Sequence, residues 1–434
     1  MVMTSATNDQ QVTTVQELLF DKRTEANDIS LKAMLNADPV LIDVVPALDA
    51  LPGMTRRTIL TSGAPLPWSA YEGGQRRAIL GAALFEGLAD SFEEADARLT
   101  DGDILVRPCH DFGCVGSVTG VTSASMPVLV VEDKVSGSRG HCVLYEGGAR
   151  ERLTYGVWNE AVHRQLVWIK DVLGPILSAA LRYGGGVRVS PIIRRALGMG
   201  DDLHSRNTAA TAVLFQQLYG PILDAEGSSG AAREVLDFLS RNDLFFLHVA
   251  MATGKSIADA AVGTPHSSIV TAMALNEREF AIRTAGTGKR WFRAPIPPLR
   301  AKYFDGITAE DTAFMGGESL ITETVGLGGL SAAAAFSLQD YSGGSAESMV
   351  ETTLAMYGIT HTEHPQWRIP SLAFRGAPFG IDAARVASTS VTPRIHMGAA
   401  LRGGGHAGAG LLIAPVEPFL EALEALDAQA ATAP

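Results

Sequence analysis

Three cysteines in 434 residues are too few to staple a fold. Cys109 and Cys114 lack the second Cys/His pair that a zinc site of their spacing needs, and Cys142 stands alone, so reduced thiols in core or loop are expected. Cys109 beside His110 leaves a thiolate nucleophile open, although neighbours in sequence need not meet in space. Basic charge is scarce too. Lys and Arg number 35 against 47 Asp and Glu, a formal net charge of −12, which excludes general affinity for nucleic acid or anionic membranes while leaving room for local small-anion sites. No apolar run approaches the length of a membrane span, and MVMTSATNDQ has neither the basic nor the apolar part of a secretory signal, so a cytoplasmic location is expected. No cofactor fingerprint is present. The small-residue run from 113 to 125 lacks Gly-Lys-Ser/Thr and leads into a strand rather than a helix. No His-x-His or His-Glu-x-x-His pair marks a metal centre.

What is present is a globular composition, 46% hydrophobic and 19% charged, in a chain long enough for two or three domains. The pattern predicts a multi-domain α/β and α+β protein: a flexible segment over 1–25, an α/β layer over 26–156, a mostly helical section over 157–262 and an α+β section over 263–434. PVLIDVV, RRTILTSG, DILVRP and PVLVVED read as strands, and GGQRRAILGAALFEGLAD has helical spacing. Ser91 followed by Glu94 signals the start of a second helix, which the Asp101-Gly102 turn ends. Asn276 to Glu279 forms the turn of an antiparallel pair, and helices follow at about 344–358 and 416–428.

Four stretches could carry chemistry. In GCVGSVTGVTSAS, glycines 113, 116 and 120 let backbone amides approach an anion, and Ser117, Thr122, Ser123 and Ser125 add hydroxyls; the plainer reading is a structural loop. MGDDLHSRN, 199–207, reads as the start of a helix running to about Tyr219, with His204 and Asn207 toward packed surface. There Asp201 could orient the imidazole, while Asp202 and Arg206 make a surface pair. GGESLITETVGLGG offers Glu323, with Glu318 five residues earlier, as a general base or a helix cap. RIHMGAALRGGGHAGAG holds His396, Arg402 and His406 around a glycine run that implies flexibility or close approach by another chain or ligand, with Arg402 as the anion partner.

GAPLPW, GAALFEGLA, RPCH, GVTSASMPVLVVE, MGDDLHSRN, SSIVTAM, RWFRAP and ITETVGLGG occur in an order that resembles the YahG/YlbE-like bacterial family, long catalogued as a domain of unknown function. The resemblance spans about residues 25–420. It departs at Asp111, where a second His is expected after PCH, and at Gly116-Ser117, where Gly-Pro is expected. One branch of that family looks like a subunit of catabolic oxamate carbamoyltransferase in anaerobic allantoin use, working with an FdrA-like protein and one further subunit. The resemblance therefore implies transfer of a carbamoyl group between an oxamate-type ureido acid and phosphate, giving carbamoyl phosphate. On residue chemistry, the 116–125 loop would hold an anion. His204 would act on the carbamoyl oxygen or shuttle a proton, with Asp201 beside it. Arg206 and Asn207 would orient substrate, and Glu323 would serve as a base. Two alternatives stand beside this: a non-catalytic scaffold for the FdrA-like partner, and a metal-dependent amidohydrolase using His110, His204 and Glu323. Self-association is left open.

Overall fold

The computed structural model describes residues 21–227 and 229–432. Of the N-terminal segment 1–25, residues 1–20 lie outside the described residues; residues 21–25 belong to a helix, α1, that runs to residue 35. β1 (Pro39–Pro46) and α2 (Ala47–Ala50) follow. β2 (Thr58–Thr61), α3 (Gly73–Phe85), α4 (Phe92–Thr100) and β3 (Leu105–Pro108) then form a β-α-α-β run, with β2 and β3 parallel and Thr58 opposite Leu105. α4 starts where the sequence signals it, because the Ser91 side chain accepts the Glu94 N–H.

β4 (Cys114–Val115), β5 (Pro127–Asp133), β6 (Arg139–Val143) and β7 (Val187–Arg188) join β1 in a five-stranded sheet ordered β4-β6-β5-β1-β7. Its β1, β5, β6 and β7 pairings are antiparallel, so within this layer parallel pairing is confined to β2–β3 and β4–β6. Val128 to Val131 are all buried at the sheet centre, as an apolar run rich in β-branched valine requires.

The helical section contains α5 (Glu160–Trp168), α6 (Gly174–Gly184), α7 (Val189–Gly198), α8 (Thr208–Glu226), α9 (Gly230–Arg241) and α10 (Phe245–Asp259). α10 is buried from Phe245 through Ala258, and its polar side chains, His248, Thr253, Lys255 and Ser256, are buried with it. It lies so close to β6 that a Cβ at Gly140 would stand 2.0 Å from the Ala252 carbonyl oxygen. The Lys255 charge inside it is met by Asp259 at 2.7 Å.

β8 (Val270–Leu275), β9 (Glu279–Thr284) and β10 (Phe292–Pro295) form an antiparallel sheet. Asn276 closes the β8–β9 turn by accepting the N–H groups of Arg278 and Glu279. Then come β11 (Arg300–Tyr303), the single-turn α11 (Ile321–Thr324), α12 (Gln339–Ser342), α13 (Ala346–Met356), β12 (Thr360–Ile369), β13 (Arg375–Ile381), α14 (Ala383–Thr389), β14 (Arg394–Ala400), β15 (His406–Ile413) and α15 (Glu417–Thr432). The glycine-rich run makes the β14–β15 hairpin, and the close approach it permits is by the chain's own β11. A Cβ at Gly410 would stand 2.1 Å from the Arg300 carbonyl oxygen. The largest hydrophobic cluster takes Val44 and Leu129, Leu177 and Phe246, and Trp367 and Phe379, so all three sections contribute to it. Among the described residues, no helix is long and apolar enough to cross a membrane.

Candidate functional site

Residues 199–207 are not helical; α8 begins at Thr208. The stretch is a tight loop that runs through Leu203 at φ +66°, a conformation rare for a branched residue and one that must be held by its surroundings. Asp202 holds it. This carboxylate is fully buried and accepts the N–H groups of His204 (3.2 Å), Ser205 (3.3 Å) and Arg206 (2.7 Å). It also meets His396 Nδ1 at 2.6 Å. Burial would raise its pKa, but the His396 imidazole, His204 and the loop amides outweigh that and lower it. Asp202 and Arg206 are therefore not a surface pair.

Inside this loop His204 Nδ1 lies 2.8 and 2.9 Å from the two oxygens of Glu323. Glu323 also accepts the N–H of Gly329 (2.8 Å) and of His396 (3.2 Å) and the Thr322 hydroxyl (3.0 Å), so its carboxylate cannot turn away. A carboxylate on Nδ1 fixes the tautomer and leaves Nε2 as the working nitrogen. Burial pulls the imidazole toward neutrality, yet the charges of Glu323 and Asp202 outweigh it and raise the His204 pKa. Gly328, at φ +57°, gives room for the pair: a Cβ there would stand 2.0 Å from Glu323 Oε1.

His204 lines a narrow neck of about 50 Å³, with Ser117, Val118, Tyr155, Ser319 and Tyr341. The neck shares Val118, Gly316, Met397 and Gly398 with a chamber of about 400 Å³ that reaches Arg402. On the other side it shares Ser205, Leu244 and Tyr341 with a chamber of about 450 Å³ that reaches Arg152, Arg206 and Asn207. Burial pushes the Tyr155 phenol up to about 12, so it stays a neutral donor at neutral pH.

Glu318 ties its own loop to those at Gly63 and Gly116, the latter next to Ser117 of the neck wall. Its oxygens accept the N–H groups of Gly63 and Gly116, each at 3.0 Å, and its own N–H donates to the Gly116 carbonyl at 2.9 Å. Burial pushes this carboxyl up to about 8, against those amide bonds. Behind it sits His110, 4.0 Å away at Nε2, edge-on to Trp291 and with neither ring nitrogen bonded.

The residues singled out in the sequence divide. His204 and Glu323 are brought together, and Ser117 stands in the neck wall beside them. Arg206 and Asn207 line one chamber; Arg206 bonds Asp201 and Ser337, and Asn207 Nδ2 donates to the His204 carbonyl. Arg402 lines the other, with Nε on the Glu310 carbonyl at 2.9 Å. Asp201 does not orient the imidazole. It accepts the Ala210 N–H and pairs with Arg206, and burial chiefly pushes it up to about 6. Thr122, Ser123 and Ser125 are not in the neck wall: Thr122 bonds Gly120, while Ser123 and Ser125 both donate to Glu86.

Cys109 donates to the Gly120 carbonyl, and burial pushes its thiol well up, which removes the nucleophile reading. Among the described residues no three His, Cys, Asp or Glu side chains converge as a metal site, so His110, His204 and Glu323 do not form one. Asp111, the departure after PCH, pairs with Arg283 at 2.7 Å. Arg152, Tyr155 and Tyr341 sit in none of the four stretches, and Ser319 lies unremarked inside GGESLITETVGLGG; His396 and Asp202 were both named, but not as partners.

Residues 104–319 match the family described as oxamate carbamoyltransferase subunit AllG. The chain is 38% identical over 407 residues to the uncharacterized protein YahG of Escherichia coli K12, covering 93% of this chain and 86% of that protein. It is 38% identical over 413 residues to oxamate carbamoyltransferase subunit AllG of the same strain, covering 94% and 98%. A crystal structure of a conserved protein of unknown function from Enterococcus faecalis V583 superposes with a TM-score of 0.92 at 35% identity, covering 94% of this chain and 99% of that one.

Proposed function

The chain belongs to the family of AllG and YahG, and from that premise we propose that it is a subunit of a carbamoyltransferase complex. The complex moves a carbamoyl group between an oxamate-type ureido acid and phosphate, in ureide nitrogen catabolism. Its partners are an FdrA-like protein and one further subunit. The observation that carries this reading is the His204–Glu323 pair at 2.8 Å in the wall of a neck between two chambers. Equal identity to AllG and YahG selects neither protein's substrate.

The chemistry needs a positioned acid and base rather than a covalent intermediate. A phosphate oxygen forms the bond to the carbamoyl carbon, and the C–N bond to the ureido acid breaks. His204 Nε2–H gives its proton to the leaving nitrogen, and the phosphate proton then restores the imidazolium. Glu323 keeps the ring oriented and stabilises its charged form. Tyr155, Ser117 and Ser319 line the neck where donors to the carbamoyl oxygen are needed.

The test is co-expression with the two partner subunits and assay of carbamoyl phosphate from a panel of ureido acids. Turnover that falls with His204→Ala supports the reading, and no turnover across the panel counts against it. Full activity in both His204→Ala and Glu323→Ala complexes would make this chain a scaffold.

A further inference from the structure

Arg152 is the anomaly of the larger chamber. Its side chain is 4% exposed. Nη1 donates to the Tyr145 hydroxyl and the Gly147 carbonyl, both at 2.8 Å, while Nε has no partner. The nearby carboxylate, Glu146, gives its two oxygens to the N–H groups of Leu153 and Thr154 instead. Arg206 and Arg241, in the same chamber, already pair with Asp201 and Asp237. A buried guanidinium with idle donors is costly unless an anion completes it.

The geometry points to Arg152 as the receptor of phosphate in the chamber of about 450 Å³ that shares Ser205, Leu244 and Tyr341 with the His204 neck. The guanidinium lies over the Tyr155 ring at 4.6 Å, and Tyr155 lines the neck together with His204. A planar fork of N–H groups matches phosphate oxygens, and because Arg206 and Arg241 are already paired and Asp243 also lines the chamber, recognition of the anion falls to the fork of Arg152. The inference rests on the carbamoyltransferase reading only for the use of the anion, which is to attack the carbamoyl carbon held in the neck.

The test is titration of the full-length, ¹⁵N-labelled chain with inorganic phosphate, following the Arg152 Nε–H resonance, with oxamate and chloride as parallel arms. A saturable shift with phosphate alone is expected, together with phosphate affinity at least ~10-fold weaker in Arg152→Lys, which keeps the charge and loses the fork. No shift with phosphate overturns the proposal, as does a shift with oxamate only, or unchanged phosphate affinity in the folded Lys variant. Phosphate binding at Arg152 without carbamoyl transfer by the assembled complex would sink the carbamoyltransferase reading and leave the anion site standing. Transfer with an unchanged phosphate KM in Arg152→Lys would do the reverse.

Discussion

Two buried His–Glu pairs draw their carboxylates from one short stretch, Glu318 and Glu323, but differ in what surrounds them. His204 meets Glu323 at 2.8 Å, in a neck that shares lining residues with two chambers. His110 lies 4.0 Å from Glu318 behind the neck, with neither ring nitrogen bonded. The same two side chains end in opposite states. The His204 pKa is raised because, although burial lowers it, carboxylates on Nδ1 and below the loop oppose burial and win. The His110 pKa is pushed well down, because burial acts first and the charges of Lys255 and Arg283 add to it. Burial alone makes a histidine an inert ring; burial with a bonded carboxylate makes it an acid and base.

The comparison breaks most visibly at Glu323. Glu323→Gln removes the charge that opposes burial, so the His204 pKa should drop below its ordinary value. The assembled complex should lose on the order of 10²-fold or more in kcat. Imidazole NMR titration and turnover check the two halves separately, and an unmoved His204 pKa would refute the dyad. Gly328→Ala comes next. Its Cβ would run into Glu323 Oε1 from a left-handed backbone, so it should cost about 1–3 kcal/mol in denaturant unfolding and misplace the dyad.

Glu318→Gln tests the second pair. Burial raises the Glu318 carboxyl from its ordinary 4.5 to about 8, so the folded chain keeps a proton that the unfolded chain releases. Stability from this group is complete below about pH 4.5 and is lost as pH rises through about 8. The glutamine variant should flatten that part of the profile, measured as denaturant midpoints across the pH series; an unchanged slope would contradict it. The smallest effect is expected of His110→Phe. With no hydrogen bond to lose and Trp291 to pack against, stability should stay within about 1 kcal/mol and turnover should be unchanged. A collapse of activity there would erase the distinction between the two pairs.

Much of the architecture was legible because its causes are local. The Ser91 cap, the apolar run of Val128 to Val131 and the Asn276 turn each act within a few residues, and each appears where the pattern put it. The candidate site was legible only as residue types. His204 and Glu323 could be named, yet the bond between them spans 119 positions, and the His396–Asp202 bond spans 194. Asp201 looked like the partner of His204 because it is close in sequence; helical spacing assumed there does not hold in a loop that turns through Leu203. Thr122, Ser123 and Ser125 looked like anion donors because hydroxyls near glycines suit that role, but nothing local shows that Glu86 takes two of them.

The sequence by itself determined the mixture of helix and strand and the residue types from which a site could be made. Those follow from short-range backbone preference and the period of apolar residues. Only the tertiary structure decided which carboxylate faces which imidazole, that Glu318 ties loops from three parts of the chain, and that Arg152 is buried with idle donors. These depend on contacts between distant segments in a medium where charge is costly, and no local pattern encodes which distant group will answer it.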